Sequence, residues 1–240
     1  MPNLQNNRNL QNEEQLEESK LNQKVIVGAD ETGRGIIIGS MFIGACAITP
    51  SQEQSFRDWG VRDSKRYTSI GKLKAHAQLI KQHSLAWRTK KLSAETLNNF
   101  NKNNLTMDEA EAYTFFQILQ EIVEEIKAVQ EFRVDNFQEA KKLRQLMSKD
   151  PTTKNITLII SPKAESKYVS VSAAAILARV ASLEELEKIR VKYGDFGSGS
   201  TSDKRTINWL RNYYKTHQSW PTEIVRTYWK TIDKIEREVR

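Results

Sequence analysis

The feature that most constrains this chain is a pair of apolar runs separated by a short polar segment, residues 24–48, with the sequence KVIVGADETGRGIIIGSMFIGACAI. Residues 24–28 predict a short buried strand, and residues 36–48 predict a second strand that pairs with it as a hairpin. Asp30 and Glu31 lie between them, and two carboxylates at the end of a buried strand are costly unless a cation compensates them. Hard divalent cations such as Mg²⁺ prefer carboxylate oxygens, so the stretch predicts a metal site. The alternative is a hairpin whose turn is merely polar.

The turn that follows the two acids, Gly33-Arg34-Gly35, suits a phosphate group. Glycines allow a bare backbone to approach a ligand closely. The guanidinium of Arg34 presents a fork of donors that matches a phosphate. Together with the acids, the turn indicates a metal-dependent phosphate site.

Strands and helices alternate after the opening hairpin. Strands are predicted at 85–92, 131–135 and 156–160, and residues 50–60 are predicted to form a loop. Thr106 and Glu109 match a capping box, which predicts a helix that runs to about Gln130. A helix is predicted to begin near Thr68, with Leu73, Ala77 and Ile80 on its inward face. Another is predicted to run from a cap at 136–139 to about 147. Three more helices are predicted at 171–190, 203–215 and 222–239. This order predicts the α/β class, with a mixed central sheet flanked by helices.

Composition divides the chain into a polar tail and one domain. Residues 1–22 are rich in Asn, Gln and Glu and have too few apolar groups to form a core, so they predict a flexible tail. Residues 23–200 are predicted to form the main domain. Residues 201–240 are predicted to be a C-terminal helical part packed on that same domain.

The charge of the chain favours a polyanionic partner. Lys and Arg number 37 against 30 Asp and Glu, a net charge of +7, and nucleic acid is the commonest soluble polyanion. Cys46 is the single cysteine, which excludes an internal disulfide and a cysteine-based zinc site. No apolar run approaches the roughly 18 residues of a membrane span, and no signal-like apolar core is seen near the N-terminus. We therefore expect an intracellular protein with no membrane partner.

Acids follow or end three of the predicted strands. Asp30 and Glu31 follow the first, Asp135 ends the fourth, and Glu165 comes shortly after the fifth. Groups just beyond neighbouring strand ends converge on one crevice of an α/β sheet, so we expect these four carboxylates to form one cluster. Two divalent ions there would activate water and stabilise the leaving oxygen of a phosphodiester. The alternatives are that Asp135 is a turn acid and Glu165 a solvated partner of a neighbouring lysine.

The segment GADETGRG at residues 28–35 strongly resembles the signature of the type 2 ribonuclease H family. The resemblance continues in order over about residues 24–235, through these segments: DSK at 63–65, VD at 134–135, KAE at 163–165, VSAA at 171–174, YG, GSG, SD and WL between 193 and 210, and VR and WKT between 225 and 231.

This resemblance implies an RNase H-like catalytic domain that hydrolyses the RNA strand of RNA–DNA hybrids and incises at single ribonucleotides in duplex DNA. It implies two divalent ions, Mg²⁺ or Mn²⁺, held by four acids: Asp30, Glu31, Asp135 and Glu165. The products would carry 5′-phosphate and 3′-hydroxyl ends. Eukaryotic relatives work with accessory subunits, and the compartment would be cytoplasmic in a prokaryote and nuclear in a eukaryote.

Several residues are expected to contact the substrate. By resemblance, Gly33, Arg34 and Gly35 contact the ribose 2′-hydroxyl, the group that distinguishes RNA from DNA, and its phosphates. Lys65 is expected to contact a phosphate, and Ser200 and the neighbouring Lys204 are also expected to bind the substrate. Arg226 and Lys230, four residues apart on a predicted helix face, are further candidates for phosphate contact.

The chain departs from the family pattern at two important positions. The fourth acid is ordinarily aspartate and is here Glu165, whose extra methylene alters the reach of the carboxylate; Mn²⁺ preference is one hypothesis that follows. A tyrosine and a proline ordinarily follow GSG, where this chain has Ser200 and Thr201. Serine cannot stack on a base, an interaction worth about 1–3 kcal/mol, so weaker incision at single ribonucleotides is expected. The alternatives are a nuclease restricted to hybrids and a catalytically weak hybrid-binding protein.

Overall fold

The computed structural model describes residues 24–239. The predicted flexible tail of residues 1–22 lies outside this part of the chain. The boundary predicted at residue 200 stays a prediction.

A five-stranded mixed sheet forms the centre of the described structure, with the strand order β3-β2-β1-β4-β5. Strand β2 is antiparallel to both of its neighbours, β1 and β3, whereas β1, β4 and β5 run parallel. The predicted α/β class with a mixed central sheet is therefore confirmed. The strands are β1 (Val25–Thr32), β2 (Met41–Ile48), β3 (Ala86–Leu92), β4 (Val129–Asp135) and β5 (Thr157–Ser161).

Helices cover both faces of this sheet. Helices α4 and α5 pack on one face around Phe115 and Leu143. Helices α1, α2 and α7 pack on the other face around Phe56, Leu73 and Ile176. The described helices are α1 (Pro50–Asp58), α2 (Ile70–His83), α3 (Ala94–Lys102), α4 (Met107–Glu125), α5 (Ala140–Lys149), α6 (Ala164–Lys167), α7 (Val169–Tyr193), α8 (Lys204–His217) and α9 (Lys230–Val239), with a 3₁₀ helix at Ser64–Arg66.

Strand β1 is longer than predicted and includes both acids. Asp30 pairs with Gly44 of β2, and Glu31 pairs with Ile43. Because successive side chains of a strand point to opposite faces, the two neighbouring carboxylates leave β1 on opposite sides of the sheet.

The structure corrects several predicted elements. The predicted loop at 50–60 contains helix α1, which begins with a capping box between Thr49 and Gln52 and with Pro50 in its first turn. Helix α4 has the predicted capping box but ends at Glu125. The predicted cap at 136–139 is wrong, since α5 begins at Ala140 without a side-chain cap.

The predicted helix at 222–239 is also shorter than expected. Its first part is irregular, and Val225 forms an isolated antiparallel bridge with Ile38. This bridge ties the segment to the loop between β1 and β2. An apolar cluster joins the same loop to α8 and α9, through Ile38, Leu210 and Ile232.

Helix α7 lies directly on the sheet because two glycines remove the side chains between them. A Cβ built on Gly28 would lie 2.2 Å from the carbonyl carbon of Ser170, and one built on Gly44 would lie 2.2 Å from the carbonyl oxygen of Ala174. Both contacts are to backbone, which cannot move aside. The close approach buries much of α7, from Val169 to Ile189.

None of the helices in the described part of the chain combines the length and the apolar character needed to cross a bilayer.

We expect Gly44→Ala to destabilise the protein by about 1–3 kcal/mol or more, because the added methyl group forces α7 away from the sheet. The measurement is the free energy of unfolding in urea. Gly71→Ala in α2 is the matched control, since its Cβ would meet only the Ser69 hydroxyl at 3.6 Å and alanine favours the helix. Equal unfolding free energies for Gly44→Ala and the parent would contradict the packing described.

Candidate active site

A cleft of about 680 Å³ opens at the carboxyl ends of the parallel strands β1, β4 and β5. All four predicted acids line it, together with two of the predicted substrate-binding residues, Arg34 and Lys65. Acids separated by up to 135 positions in the sequence therefore share one cleft, as expected from strand ends. Their catalytic and metal-binding roles stay predictions.

Asp30 is the most buried of the acids in β1, with 7% of its surface exposed. Burial raises the pKa of its carboxyl well above the ordinary value, and the neighbouring carboxylates of Glu31 and Glu165 raise the pKa further. A cation beside Asp30 would oppose both effects.

Glu165 enters the cleft from the one-turn helix α6. Lys163, which directly precedes this helix, has a left-handed backbone conformation with φ of 57°. Glu165 is 6% exposed. Its Oε1 accepts a hydrogen bond from Lys65 Nζ at 2.5 Å, and its Oε2 is buried without a hydrogen-bond partner among the described residues.

The Lys65–Glu165 ion pair affects both partners. Burial raises the pKa of Glu165, and the hydrogen bond from Lys65 partly offsets this effect. The same hydrogen bond raises the pKa of Lys65. Lys65 is presented by the 3₁₀ helix, whose cap is Asp63 and whose Ser64 carbonyl accepts a hydrogen bond from Arg179. The expected phosphate-binding lysine thus faces the acids.

Asp135 is held at the end of β4 by backbone donors. Its Oδ1 accepts from the amide of Asn136 at 2.6 Å and from the amide of Lys163 at 3.0 Å. The amide of Lys163 joins the turn after β5 to the end of β4. The alternative of a turn acid therefore has a structural basis, and Asp135 also lines the cleft.

The residues present fit a hard divalent cation. Four carboxylates supply only oxygen donors, as Mg²⁺ and Mn²⁺ prefer, and one buried oxygen, Glu165 Oε2, has no partner. Within residues 24–239, however, no three His, Cys, Asp or Glu side chains are grouped closely enough to hold one metal ion. Glu165 accepts a hydrogen bond from Lys65, whereas Asp135 accepts from two backbone amides. These two carboxylates therefore have separate partners.

The glycine turn after β1 is shaped by its first residue. Gly33 has φ of 80°, and a Cβ there would lie 2.5 Å from the carbonyl oxygen of Ser40. Arg34 points into the cleft but is not free, because its guanidinium donates to Asp108 and Glu111 of α4. Gly33 and Gly35 are not among the residues that line the cleft. Their expected substrate contacts stay predictions.

Arg226 supports this turn from behind. The side chain is fully buried, and its nitrogens donate to the carbonyls of Gly33 at 2.6 Å, Arg34 at 3.0 Å and Gly39 at 3.2 Å. Desolvation lowers its pKa to about 10. The hypothesis of a surface phosphate contact is therefore wrong for Arg226, which instead positions the turn.

Sequence reasoning also missed Glu111. The side chain is fully buried in α4 beneath Arg34. Burial raises its pKa to about 8, and Glu31 adds to the shift while Arg34 opposes it. The available signal was an acid at a core-facing position of a strongly periodic helix, between Ala110 and Ala112, which are both buried.

Ser200 and Lys204 lie outside the acid cleft. Ser200 forms an antiparallel bridge with Ile36, and the carbonyl of Gly199 accepts from the amide of Ile37 at 2.7 Å. The loop of Ser200 therefore lies beside the glycine turn. Lys204 lines a separate cleft of about 290 Å³, so the structure does not bring it to the acids.

Comparison with known proteins gives a consistent result. A family model described as Ribonuclease HII matches residues 27–232. The chain is similar to Ribonuclease HII of Pyrococcus horikoshii, with 36% identity over 215 residues that cover 90% of this chain and 94% of that protein. It is also similar to Ribonuclease HII of Methanocaldococcus jannaschii, with 31% identity over 229 residues that cover 88% and 94%.

Solved structures show the same likeness. The ribonuclease H2 crystal structure from Pyrococcus horikoshii has a TM-score of 0.78 and 32% identity, covering 90% of this chain and 99% of that one. RNase HII from Archaeoglobus fulgidus, solved in complex with PCNA, has a TM-score of 0.71 and 29% identity, covering 86% and 95%. Bst-RNase HIII, solved with Mn²⁺, has a TM-score of 0.78 at 19% identity, covering 92% and 72%. The last shows a shared fold.

We expect the buried carboxyl of Glu111 to make the free energy of unfolding fall as pH rises. Its pKa is about 8 in the native protein against an ordinary 4.5, so between these values the unfolded chain releases a proton that the native state keeps. The contribution to stability is therefore complete below about pH 4.5 and is lost towards pH 8.

Glu111→Gln should remove about 2–4 kcal/mol of this pH dependence, measured by urea unfolding at pH 5 and pH 8. Glu124→Gln, at an exposed position of the same helix, is the control and should leave the dependence unchanged. Parallel profiles for Glu111→Gln and the parent would show that Glu111 ionises normally.

Proposed function

The chain belongs to the ribonuclease HII family, and we propose that it is an endoribonuclease that hydrolyses the RNA strand of RNA–DNA hybrids. The observation that supports this proposal is the single cleft that joins four carboxylates to Arg34 and Lys65. Carboxylates suit divalent ions and cations suit phosphates, so the cleft provides for both parts of a metal-dependent phosphodiester hydrolysis.

Asp30, Glu31, Asp135 and Glu165 would hold two divalent ions, Mg²⁺ or Mn²⁺. When bound, such ions lower the pKa of water and stabilise negative charge on the leaving oxygen. The unpartnered Oε2 of Glu165 and the raised pKa of Asp30 support this assignment. Because Asp30 and Glu31 leave β1 on opposite faces, they need not serve the same ion.

The chain's own residues would bind and orient the scissile strand. Arg34 and Lys65 offer donors to its phosphates, and the turn at Gly33 allows the ribose 2′-hydroxyl to approach the backbone. Asp108 and Glu111 limit the movement of Arg34. Arg226 fixes the carbonyls of the turn itself.

The reaction is proposed to be a displacement at phosphorus. The oxygen of water forms a new bond to phosphorus while the bond between phosphorus and the 3′-oxygen breaks. The leaving oxygen takes up a proton. The products would carry a 5′-phosphate and a 3′-hydroxyl.

Incision at single ribonucleotides is proposed to be weak. Ser200 lies beside the glycine turn, where related proteins are expected to carry a tyrosine that stacks on the substrate. A serine hydroxyl offers no stacking face. A long hybrid has many further backbone contacts, so cleavage of hybrids should suffer less than incision at an isolated ribonucleotide.

A catalytically weak hybrid-binding protein is the second candidate function. The Lys65–Glu165 ion pair favours it, because Glu165 Oε1 is engaged by a lysine that would have to turn towards phosphate before the carboxylate could serve an ion. Retention of a carboxylate at all four positions favours the enzyme.

Accessory protein subunits are a further proposal. The Archaeoglobus fulgidus relative was solved with PCNA, and this likeness supports a comparable protein partner for this chain. The expected intracellular location stays a prediction.

We expect the protein to cut a duplex with a four-ribonucleotide insert faster than a duplex with a single ribonucleotide, in Mg²⁺ or Mn²⁺. Ser200→Tyr should raise single-ribonucleotide incision by about tenfold, since stacking contributes about 1–3 kcal/mol per base. Ser202→Tyr, at an exposed position of the same loop, controls for the mere addition of a ring. Asp30→Asn should reduce both activities about a hundredfold or more.

Equal cutting of the two duplexes by the parent would contradict the role assigned to stacking. Binding of both duplexes without cutting in either ion would favour the hybrid-binding protein.

We expect Glu165→Asp to shift metal preference towards Mg²⁺, because the ideal octahedral geometry of Mg²⁺ tolerates little error in ligand position. The ratio of hybrid cleavage rates in Mg²⁺ and Mn²⁺ measures the shift. Glu165→Gln keeps the length of the side chain without its charge and should lose activity in both ions. An unchanged ratio in Glu165→Asp would mean that the extra methylene is irrelevant to metal choice.

A further inference from the structure

A second, smaller cleft of about 270 Å³ adjoins the acid cleft and shares Glu165 with it. Four exposed cationic side chains line this basic cleft, from three different elements of the structure: Arg57 of α1, Arg62 and Arg66 beside and in the 3₁₀ helix, and Lys167 of α6. Sequence spacing does not show that Arg57 and Lys167 join Arg62 and Arg66 here, because the four residues span 110 positions.

The cations of the basic cleft are not neutralised by the protein. Within residues 24–239, Arg57, Arg62 and Arg66 form no ion pair, and Lys167 donates to the hydroxyl of Ser161 at 2.7 Å. Arg62 lies over the ring of Tyr67 at 5.7 Å.

Two carboxylates, Asp63 and Glu165, line the same cleft, so its four cations leave it with a formal charge of +2. Asp63 accepts from the amide of Lys65 at 2.8 Å and from the hydroxyl of Ser166 at 3.4 Å. Glu165 accepts from Lys65 Nζ. Because cations outnumber carboxylates around this concave surface, the cleft favours an anionic ligand.

We propose that the basic cleft binds a backbone phosphate of the nucleic acid next to the phosphate that is cut. The proposal rests on the proposed nuclease function and extends the path of the substrate beyond the acids. The 3₁₀ helix supports it, because neighbouring residues serve the two clefts: Lys65 lines the acid cleft and Arg66 lines the basic cleft. A strand that leaves the acids past Glu165 therefore passes the cleft that Arg66, Arg62 and Arg57 line.

The ligand is a phosphodiester and not a base. The one aromatic ring in the lining, Tyr168, is half-buried, and the guanidinium of Arg133 already lies over it at 4.7 Å. Contacts of this type position a duplex without reading its sequence. They also release counterions, so each contact contributes to the salt dependence of binding.

The first test is steady-state cleavage of a hybrid at several KCl concentrations, with the metal ion that supports the parent enzyme. Arg62→Ala, Arg66→Ala and Arg57→Ala should each raise KM about fivefold, the upper range for one exposed ion pair, with little change in kcat. The slope of log(kcat/KM) against log[KCl] should become shallower by about one. Lys74→Ala, which removes an exposed cation of α2 outside both clefts, should change neither quantity.

The second test identifies the phosphate. Single phosphates of the hybrid are replaced in turn by uncharged methylphosphonates, and KM is measured for the parent and for Arg66→Ala. One position near the cut should raise KM for the parent severalfold and have almost no effect in Arg66→Ala, because the charge and its partner act as a pair.

Two outcomes would overturn the inference. If the arginine variants behave like Lys74→Ala, or if every methylphosphonate has the same effect in parent and variant, the basic cleft binds no phosphate although the enzyme cuts hybrids. If the parent neither binds nor cuts the hybrid, the proposed function and this inference fail together.

Discussion

The contact between α7 and the central strands determines where the groups of the candidate site lie. Gly28 and Gly44 allow the backbone of α7 to touch β1 and β2, and α6, with Glu165, directly precedes α7. The N-terminal turn of α7 against Gly28 therefore brings Glu165 beside Asp30, two residues further along β1. Side chains between α7 and the sheet would hold Glu165 farther from Asp30. The close packing of α7 on the sheet therefore also brings these two carboxylates together.

Three acids of the cleft differ in what surrounds their carboxyl groups. Glu165 has Lys65, Asp135 has two backbone amides, and Asp30 has only burial and like-charged neighbours. Arg34 in turn is held by Asp108 and Glu111. Two of the cations thus lie directly beside carboxylates, Lys65 beside Glu165 and Arg34 beside Asp108. A metal ion and a phosphate would therefore compete for side chains that already have partners in the protein.

The strands, and the position of the four acids near strand ends, could be predicted because short stretches of sequence mark them. β-branched runs mark strands, Thr106 and Glu109 mark the start of α4, and acids at strand ends converge by topology. Helix α1 was missed because Pro50 suggested a loop, whereas proline in the first turn is compatible with a helix. Glu111 and Arg226 could not be found from sequence alone. Their partners in the glycine turn lie 77 and 193 positions away, and only the folded chain selects them.

The dependence of the Gly33 turn on Arg226 has a consequence for the synthesis of the protein. A ribosome that adds about 5–20 residues per second makes Gly33 roughly 10 to 40 seconds before the arginine that holds its carbonyl, since 193 positions separate them. A nascent chain can form β1 and β2 in this interval, but its Gly33 turn lacks the hydrogen bonds that Arg226 donates. The hydrogen bonds that fix the Gly33 turn therefore form only after Arg226 has been synthesised.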